Sequence, residues 1–169
     1  AGVLYHMKGL SLIINPIVNS YKRLVPGYEA PTYIAWSATN RSPLIRVPAA
    51  RGLGTRVELR SPDCATNPYL AIAVCLAAGL DGIKNNLQPV DSIQRDIYSM
   101  TDEERDEAGI ENLPKNLYEA IQEMRKSDFV KGVLGKEVFK KYIKAKEEEW
   151  MEYTSQVTDW EIDRYLGRI

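Results

Sequence analysis

Apolar residues recur every three or four positions at the start of the chain, which is the spacing of one face of an α-helix. The positions are Leu4, Met7, Leu10 and either Ile13 or Ile14. Because proline disfavours helical backbone in the residue before it, the pattern ends at Asn15-Pro16. The sequence therefore predicts a first helix over residues 2–14.

Three short runs rich in β-branched and aromatic residues follow, and they predict strands over 32–38, 44–47 and 55–60. Apolar and polar residues alternate in the third run, so its two sets of side chains face opposite sides of the strand. One set is Thr55, Val57 and Leu59, and the other is Arg56, Glu58 and Arg60. The charged set is typical of a solvated face as much as of a functional surface, and the pattern alone leaves both interpretations open.

Helical patterns dominate the rest of the chain. Asn67-Pro68 is typical of a helix start, and the apolar residues on all sides from Tyr69 to Ala78 predict a buried helix. Residues 88–100 lack a sustained period and predict an extended loop. Further helices are expected after the capping-box pattern at Thr101, over 115–126 and 136–157, and in a last turn that starts at Thr158 and ends near Leu166. Short strands followed by helices indicate an α+β fold, with a few short antiparallel strands that complete a larger sheet.

Composition is that of an ordinary globular protein, with 44% hydrophobic and 27% charged residues. Cys64 and Cys75 are too few for a disulfide scaffold, so reduced cytosolic thiols are expected. The single histidine, His6, makes a histidine-based metal site or a catalytic triad within this chain a poor fit. The longest apolar run, 69–80, is shorter than the roughly 20 residues of a membrane span. The chain begins without Met and inside a helical pattern, which indicates a piece of a longer protein.

Charge is unevenly distributed. Residues 1–63 contain eight Lys and Arg and three Asp and Glu, whereas residues 64–169 contain fourteen and twenty. The segment Asn19–Asp63 holds six arginines, at positions 23, 41, 46, 51, 56 and 60, beside Glu29 and Glu58. Arginines this dense among short strands indicate an anion-binding surface, and the two glutamates indicate chemistry next to it. Nucleic acid is not the expected anion, because few aromatic residues lie among the arginines.

Long ordered motifs carry a family resemblance. The segments NPIVNSYKRLVPGYEAPTYIAWSATNRSPLIRVP, TRVELRSPD and NPYLAIAVCLAAGLDGIKN closely resemble the C-terminal part of bacterial type I glutamine synthetase, a glutamate–ammonia ligase, and the match continues through DIYSMTDEER to WEIDRYL. The resemblance implies that residues 1–63 form a strand and flap segment of the catalytic domain and that 64–169 form its helical segment.

The family's activity supplies further expectations. Its enzymes join L-glutamate and ammonia using ATP and a divalent metal, Mg²⁺ or Mn²⁺, through γ-glutamyl phosphate. They are cytoplasmic homo-oligomers of stacked hexameric rings, with each active site between neighbouring subunits. Neither nucleic acid nor membrane is an expected partner.

Six residues match family site residues. Arg23 matches an arginine that binds glutamate, and Glu29 matches the flap glutamate that closes over the site and takes a proton from bound ammonium. Arg60 matches the arginine that holds the substrate carboxylate. Arg41 matches one that contacts both substrate and phosphate. Permanently charged guanidinium groups suit a site that handles carboxylate and phosphate together.

The nucleotide and metal side is implied by two of the six. Arg46 matches an arginine that binds ATP phosphates, and Glu58 matches a glutamate ligand of the cation at those phosphates. A carboxylate between arginines stays ionised and suits a hard cation that prefers oxygen ligands.

Departures from the family pattern limit these expectations. The N-terminal β-grasp domain and the upstream metal and nucleotide motifs are missing, so the chain alone is predicted to make no glutamine. Cys64 replaces a proline usual in the family, with only a local change in rigidity expected. Tyr98 aligns with a tyrosine that one branch adenylylates, but its flanking residues match the branch without that control. The alternative function is a non-catalytic anion-binding or regulatory module related to the family.

Overall fold

The computed structural model describes residues 1–168, so Ile169, the last residue of the expected helical segment, lies outside it. Within that range the chain forms eight α-helices and four strands. The helices are α1 Gly2–Ile14, α2 Val18–Arg23, α3 Pro68–Lys84, α4 Asp102–Glu107, α5 Leu117–Lys126, α6 Asp128–Leu134, α7 Lys136–Thr154 and α8 Asp159–Tyr165. The strands are β1 Tyr33–Ser37, β2 Pro43–Arg46, β3 Glu58–Leu59 and β4 Glu111–Asn112. The α+β class is confirmed.

The sheet has the strand order β3-β2-β1-β4 and mixed pairing. The expected antiparallel arrangement holds for β1 with β4 and for β2 with β3, but β1 and β2 run parallel. A connection this short ordinarily joins antiparallel strands. Here side chains shape the loop: Ser37 Oγ accepts from the backbone amides of Thr39 and Asn40, and Asn40 Oδ1 accepts from the Ser42 amide at 2.8 Å. These hydrogen bonds shape the connection that lets β2 run parallel to β1, and the hydrophobic pattern of the sequence does not encode such a connection.

The core lies around α1, whose interior residues pack against α3 and α5. Met7, Leu10 and Ile14 are fully buried there. At the start of α1 the backbone itself is in contact with α3, because a Cβ built on Gly82 would lie 2.6 Å from the Gly2 nitrogen. Glycine at both positions permits this close crossing.

Helix α3 begins as predicted but is not the buried helix that its sequence predicts. The Asn67 side chain accepts hydrogen bonds from the amides of Tyr69 at 3.0 Å and Leu70 at 3.2 Å, and Pro68 is the first helical residue. Only Val74, Ala78 and Gly82 are buried in this helix. Its large apolar side chains on the other side are 55–84% exposed, namely Tyr69, Ile72, Leu76, Leu80 and Ile83. An all-round apolar helix needs covering on both sides, and residues 1–168 cover one.

The remaining helix predictions hold in part. Both capping boxes form, at Thr101 with Glu104 and at Thr158 with Glu161. The long helix ends at Thr154, three residues earlier than predicted, and residues 88–100 form the expected loop apart from a short 3₁₀ turn, Ile97–Ser99. The short elements α2, α6 and β4 lie outside the sequence predictions. No helix among residues 1–168 combines the length and apolar character needed to cross a membrane.

Candidate functional site

The loop between α2 and β1, residues 24–32, carries Glu29. Leu24 and Ala30 are buried at either end of its exposed middle, Val25 to Glu29. Gly27 has a φ of +88°, a conformation that favours glycine, so Pro26-Gly27 forms the predicted turn. The Glu29 carboxylate is therefore presented on an exposed loop that is fixed at both ends. We refer to residues 24–32 as the flap loop.

Three of the six predicted site residues line one cavity of about 560 Å³. They are Glu29 on the flap loop, Arg41 in the connection from β1 to β2, and Arg60 directly after β3. Asn40, Asp96 and Tyr98 line the same cavity. The fold thus brings together residues from four separate parts of the chain, and we call the cavity that they line the open cavity.

The two guanidinium groups of the open cavity lack carboxylate partners within residues 1–168. Arg60 donates from Nη2 to the Glu29 carbonyl oxygen at 3.3 Å and from Nη1 to the Pro43 carbonyl oxygen at 3.5 Å. Arg41 is exposed and forms no ion pair in the described part of the chain. Carbonyl oxygens orient a guanidinium without neutralising it, and the two carboxylates that line the cavity, Glu29 and Asp96, form no ion pair with either arginine within residues 1–168.

Arg46 and Glu58 form a second group with different electrostatics. They are paired across β2 and β3, and Arg46 Nη1 lies 3.0 Å from Glu58 Oε2. Arg56 adds an ion pair of 2.7 Å from Nη2 to Glu58 Oε1. The strand predicted over 55–60 is confirmed only for Glu58 and Leu59, and its predicted apolar face is wrong at Val57, which is 64% exposed. Arg56, which precedes β3, still contacts Glu58, whereas Arg60 lines the open cavity. We call Arg46, Arg56 and Glu58 the closed cluster.

The arginines of the closed cluster keep Glu58 ionised. The hydrogen bond from Arg56, followed by the hydrogen bond and charge of Arg46, holds the pKa of Glu58 below its usual value, although partial burial acts in the opposite direction. Glu58 is the only carboxylate in this cluster. No group of three or more His, Cys, Asp or Glu side chains that could hold a metal ion occurs in residues 1–168. The described residues alone therefore do not form the divalent-metal site that the family resemblance implies.

Arg23 lies apart from both groups, in a polar frame that sequence reasoning missed. Its Nη2 donates to Asn15 Oδ1 at 3.2 Å and to the Ser61 carbonyl oxygen, and its Nε lies 3.6 Å from Asp63 Oδ2. Two buried polar atoms beside it, Asn15 Nδ2 and Ser61 Oγ, have no hydrogen-bond partner within residues 1–168. The sequence identified Asn15-Pro16 only as the end of a helix. The contacts of Arg23 join residues that are distant in sequence, so no short motif predicts them.

The profile of the family described as glutamine synthetase, catalytic domain, matches residues 1–165. The chain therefore belongs to the glutamine synthetase family. A glutamine synthetase of Clostridium saccharobutylicum is 56% identical over 168 residues, which cover 99% of this chain and 38% of that protein. The corresponding Methanosarcina mazei protein is also 56% identical, with the same coverage. One from Staphylococcus aureus is 54% identical over 98% of this chain and 37% of its own length.

Solved structures agree with the sequence match. A GmaS/ADP complex superposes with a TM-score of 0.85 at 39% identity, covering 98% of this chain and 38% of that one. Apo GmaS without ligand gives a TM-score of 0.82 at 38% identity, covering 98% and 36%. This chain thus spans little more than a third of the length of the relatives that it matches.

Proposed function

We propose that this chain supplies the substrate-binding and phosphate-binding side of an ATP-dependent ligase site that forms L-glutamine from L-glutamate and ammonia. The observation that carries the proposal is the open cavity, where Glu29, Arg41 and Arg60 converge in a chain of the glutamine synthetase family. An acidic residue on an exposed loop beside two unneutralised guanidinium groups suits a reaction between an anionic substrate and an ammonium ion.

The arginines bind and orient. Arg60, held by two carbonyl oxygens, is fixed in place to receive a substrate carboxylate through paired charge-assisted hydrogen bonds. Arg41 is exposed at the cavity and reaches either the substrate or the phosphoryl group. Phosphoryl transfer depends mainly on positioning and charge stabilisation, so two guanidinium groups at the cavity suit this step. Arg23, which lies in its own polar frame, is proposed as a further contact for glutamate.

Glu29 acts on the ammonium ion. Its carboxylate attracts the cation and accepts one proton from it, and the ammonia that remains is the nucleophile. The flap loop also covers the site, so that water is kept from the acyl-phosphate. Both roles depend on where the loop holds Glu29 relative to Arg41 and Arg60.

The nucleotide side is less complete in this chain. Arg46 is proposed to contact ATP phosphates, and one structural neighbour of this chain, GmaS, is described as an ADP complex. Glu58 is proposed as one ligand of Mg²⁺ or Mn²⁺ in a longer protein that supplies the others. The cation would neutralise phosphate charge there. As in the family resemblance, we propose a cytoplasmic homo-oligomer of stacked hexameric rings.

A chimera tests this function. Residues 1–169 replace the matching segment of the Clostridium saccharobutylicum glutamine synthetase, and glutamine is measured with glutamate, ammonium, ATP and Mg²⁺ or Mn²⁺. The chimera is expected to make glutamine and the chain alone none. Glu29→Gln should lower kcat by about 10²- to 10⁴-fold, the usual contribution of a positioned acid or base. Glu103→Gln, an exposed acid on α4, is the matched control and should change little.

The contrary result is specific. A chimera that assembles like its parent but makes no glutamine would favour the alternative of a non-catalytic anion-binding module. Full activity of Glu29→Gln would remove Glu29 from the proposed chemistry while leaving the arginine site intact.

A further inference from the structure

The flap loop has few contacts of its own. Its middle is exposed, with the Tyr28 side chain 70% accessible, and its one internal backbone hydrogen bond runs from the Tyr28 amide to the Val25 carbonyl oxygen at 3.1 Å. Apart from Gly27 and its two chain neighbours, no atom of the described chain lies within 4 Å of where a Gly27 Cβ would be. A loop with so few contacts needs external support to hold a side chain in one place.

Two side chains from other elements supply that support. The Tyr98 hydroxyl donates to the Tyr28 carbonyl oxygen at 3.4 Å, and Arg60 Nη2 donates to the Glu29 carbonyl oxygen at 3.3 Å. The two acceptors are consecutive along the backbone. The loop is therefore held by its main chain, and the Glu29 carboxylate is left free.

Tyr98 is itself fixed to the cavity wall. The Asp96 carboxylate accepts from the Tyr98 amide at 3.2 Å, and the Tyr98 ring lies 5.7 Å from that of Tyr33 on β1. The preceding residue, Ile97, is fully buried, and its amide donates to Ser42 Oγ at 3.2 Å. Because Ser42 directly follows Arg41, this chain of contacts relates the flap loop to the position of Arg41.

We propose that Tyr98 is a positioning residue, which together with Arg60 fastens the flap loop by two consecutive carbonyl oxygens and so sets where Glu29 lies relative to Arg41. The catalytic role of this contact rests on the function proposed above. The contact itself is independent of that function. Burial raises the pKa of the Tyr98 phenol above its usual value against the opposing charge of Arg60, so the phenol remains a hydrogen-bond donor at neutral pH.

Hydrogen–deuterium exchange of the chain tests the contact directly. Tyr98→Phe removes one oxygen atom, and amide exchange over residues 27–30 is expected to become about two- to tenfold faster, as the loss of one net hydrogen bond implies. Tyr118→Phe is the matched control, since Tyr118 is half exposed on α5 and lies in a different cavity. Unchanged exchange over 27–30 in Tyr98→Phe would overturn the proposal, as would an increase spread equally over β1 and the core.

The kinetic consequence is measured in the chimera. Tyr98→Phe is expected to lower kcat for glutamine formation and to leave the KM for ATP unchanged, a split that general loss of structure does not produce. A looser loop with an unchanged kcat would overturn the positioning role. An inactive parent chimera would instead overturn the proposed function, and the exchange result would still decide whether Tyr98 holds the loop.

Discussion

The open cavity and the closed cluster come from the same arginine-rich segment, but their charges are arranged differently. In the closed cluster Arg46 and Arg56 both contact Glu58, so each guanidinium already has an acidic partner. In the open cavity Arg60 is held by carbonyl oxygens and Arg41 has no acidic partner within residues 1–168. Arginine density alone therefore does not identify an anion site, because the partner of each guanidinium decides whether its charge is available.

The difference also separates the two halves of the proposed site. We propose that the open cavity receives a carboxylate or a phosphate without first breaking an ion pair. Glu58, by contrast, is proposed as a metal ligand and would exchange its two guanidinium partners for a cation, and no group of three or more metal-ligating side chains occurs among the described residues. We infer that substrate binding is more complete in this chain than metal binding.

The largest expected difference between the two groups comes from removing one arginine from each of them in the chimera. Arg60→Ala should lower kcat/KM for glutamate by about 10²- to 10³-fold, since it removes an oriented charge from the cavity and a contact to the flap loop. Arg56→Ala should cost less than about tenfold, the range of a partly exposed ion pair. Equal losses in the two variants would break the distinction between the two groups.

A smaller effect is expected in the binding of inorganic pyrophosphate to the chain at low salt, measured by titration calorimetry. Arg41→Ala should weaken binding about tenfold, the value of one charge-assisted contact. With no divalent cation present, Arg46→Ala should have little effect, because Glu58 already pairs with that guanidinium. The proposed contact of Arg46 with ATP phosphates requires the cation that takes Glu58 from it. Added salt should weaken binding in the parent chain. A larger loss of pyrophosphate affinity in Arg46→Ala than in Arg41→Ala would contradict the view that the Arg41 charge is free and the Arg46 charge is paired.

The smallest effect concerns stability and pH. Because the pKa of Glu58 is lowered in the folded chain, its ion pairs stabilise the fold above the ordinary glutamate pKa of about 4.3, and this contribution is lost as the pH falls through the folded-state value. Glu58→Gln should therefore lower the urea midpoint at neutral pH and match the parent chain in acid. If the urea midpoints of Glu58→Gln and the parent chain still differ by the same amount at about pH 3, Glu58 stabilises the fold through packing instead.

Local rules predicted a large part of the fold. The caps at Asn67, Thr101 and Thr158 form as expected, because each depends on residues only a few positions apart. The parallel pairing of β1 with β2 escaped prediction, since pairing direction depends on how distant backbone segments meet. The prediction that α3 is buried on all sides was wrong. An apolar pattern indicates which side chains a helix can bury, but residues 1–168 cover only one face of α3.

The candidate site was likewise predicted only in part from the sequence. The alternation predicted for the third strand placed Arg56 beside Glu58, although only Glu58 of the two lies in β3. The family resemblance drew attention to Glu29, Arg41 and Arg60. Contacts to backbone carbonyl oxygens were invisible to both approaches. Tyr98 and the frame around Arg23 depend on such contacts, and no spacing of side-chain types along the sequence marks them.

The central claim is that this chain holds the substrate side of a glutamine synthetase site, and NMR titration of the isolated chain with L-glutamate tests it most directly. The account predicts amide shift changes around the flap loop, Arg41 and Arg60, with little change at Arg46 and Arg56 and much weaker changes for D-glutamate. Absence of changes at the open cavity, or changes centred on the closed cluster, would contradict it.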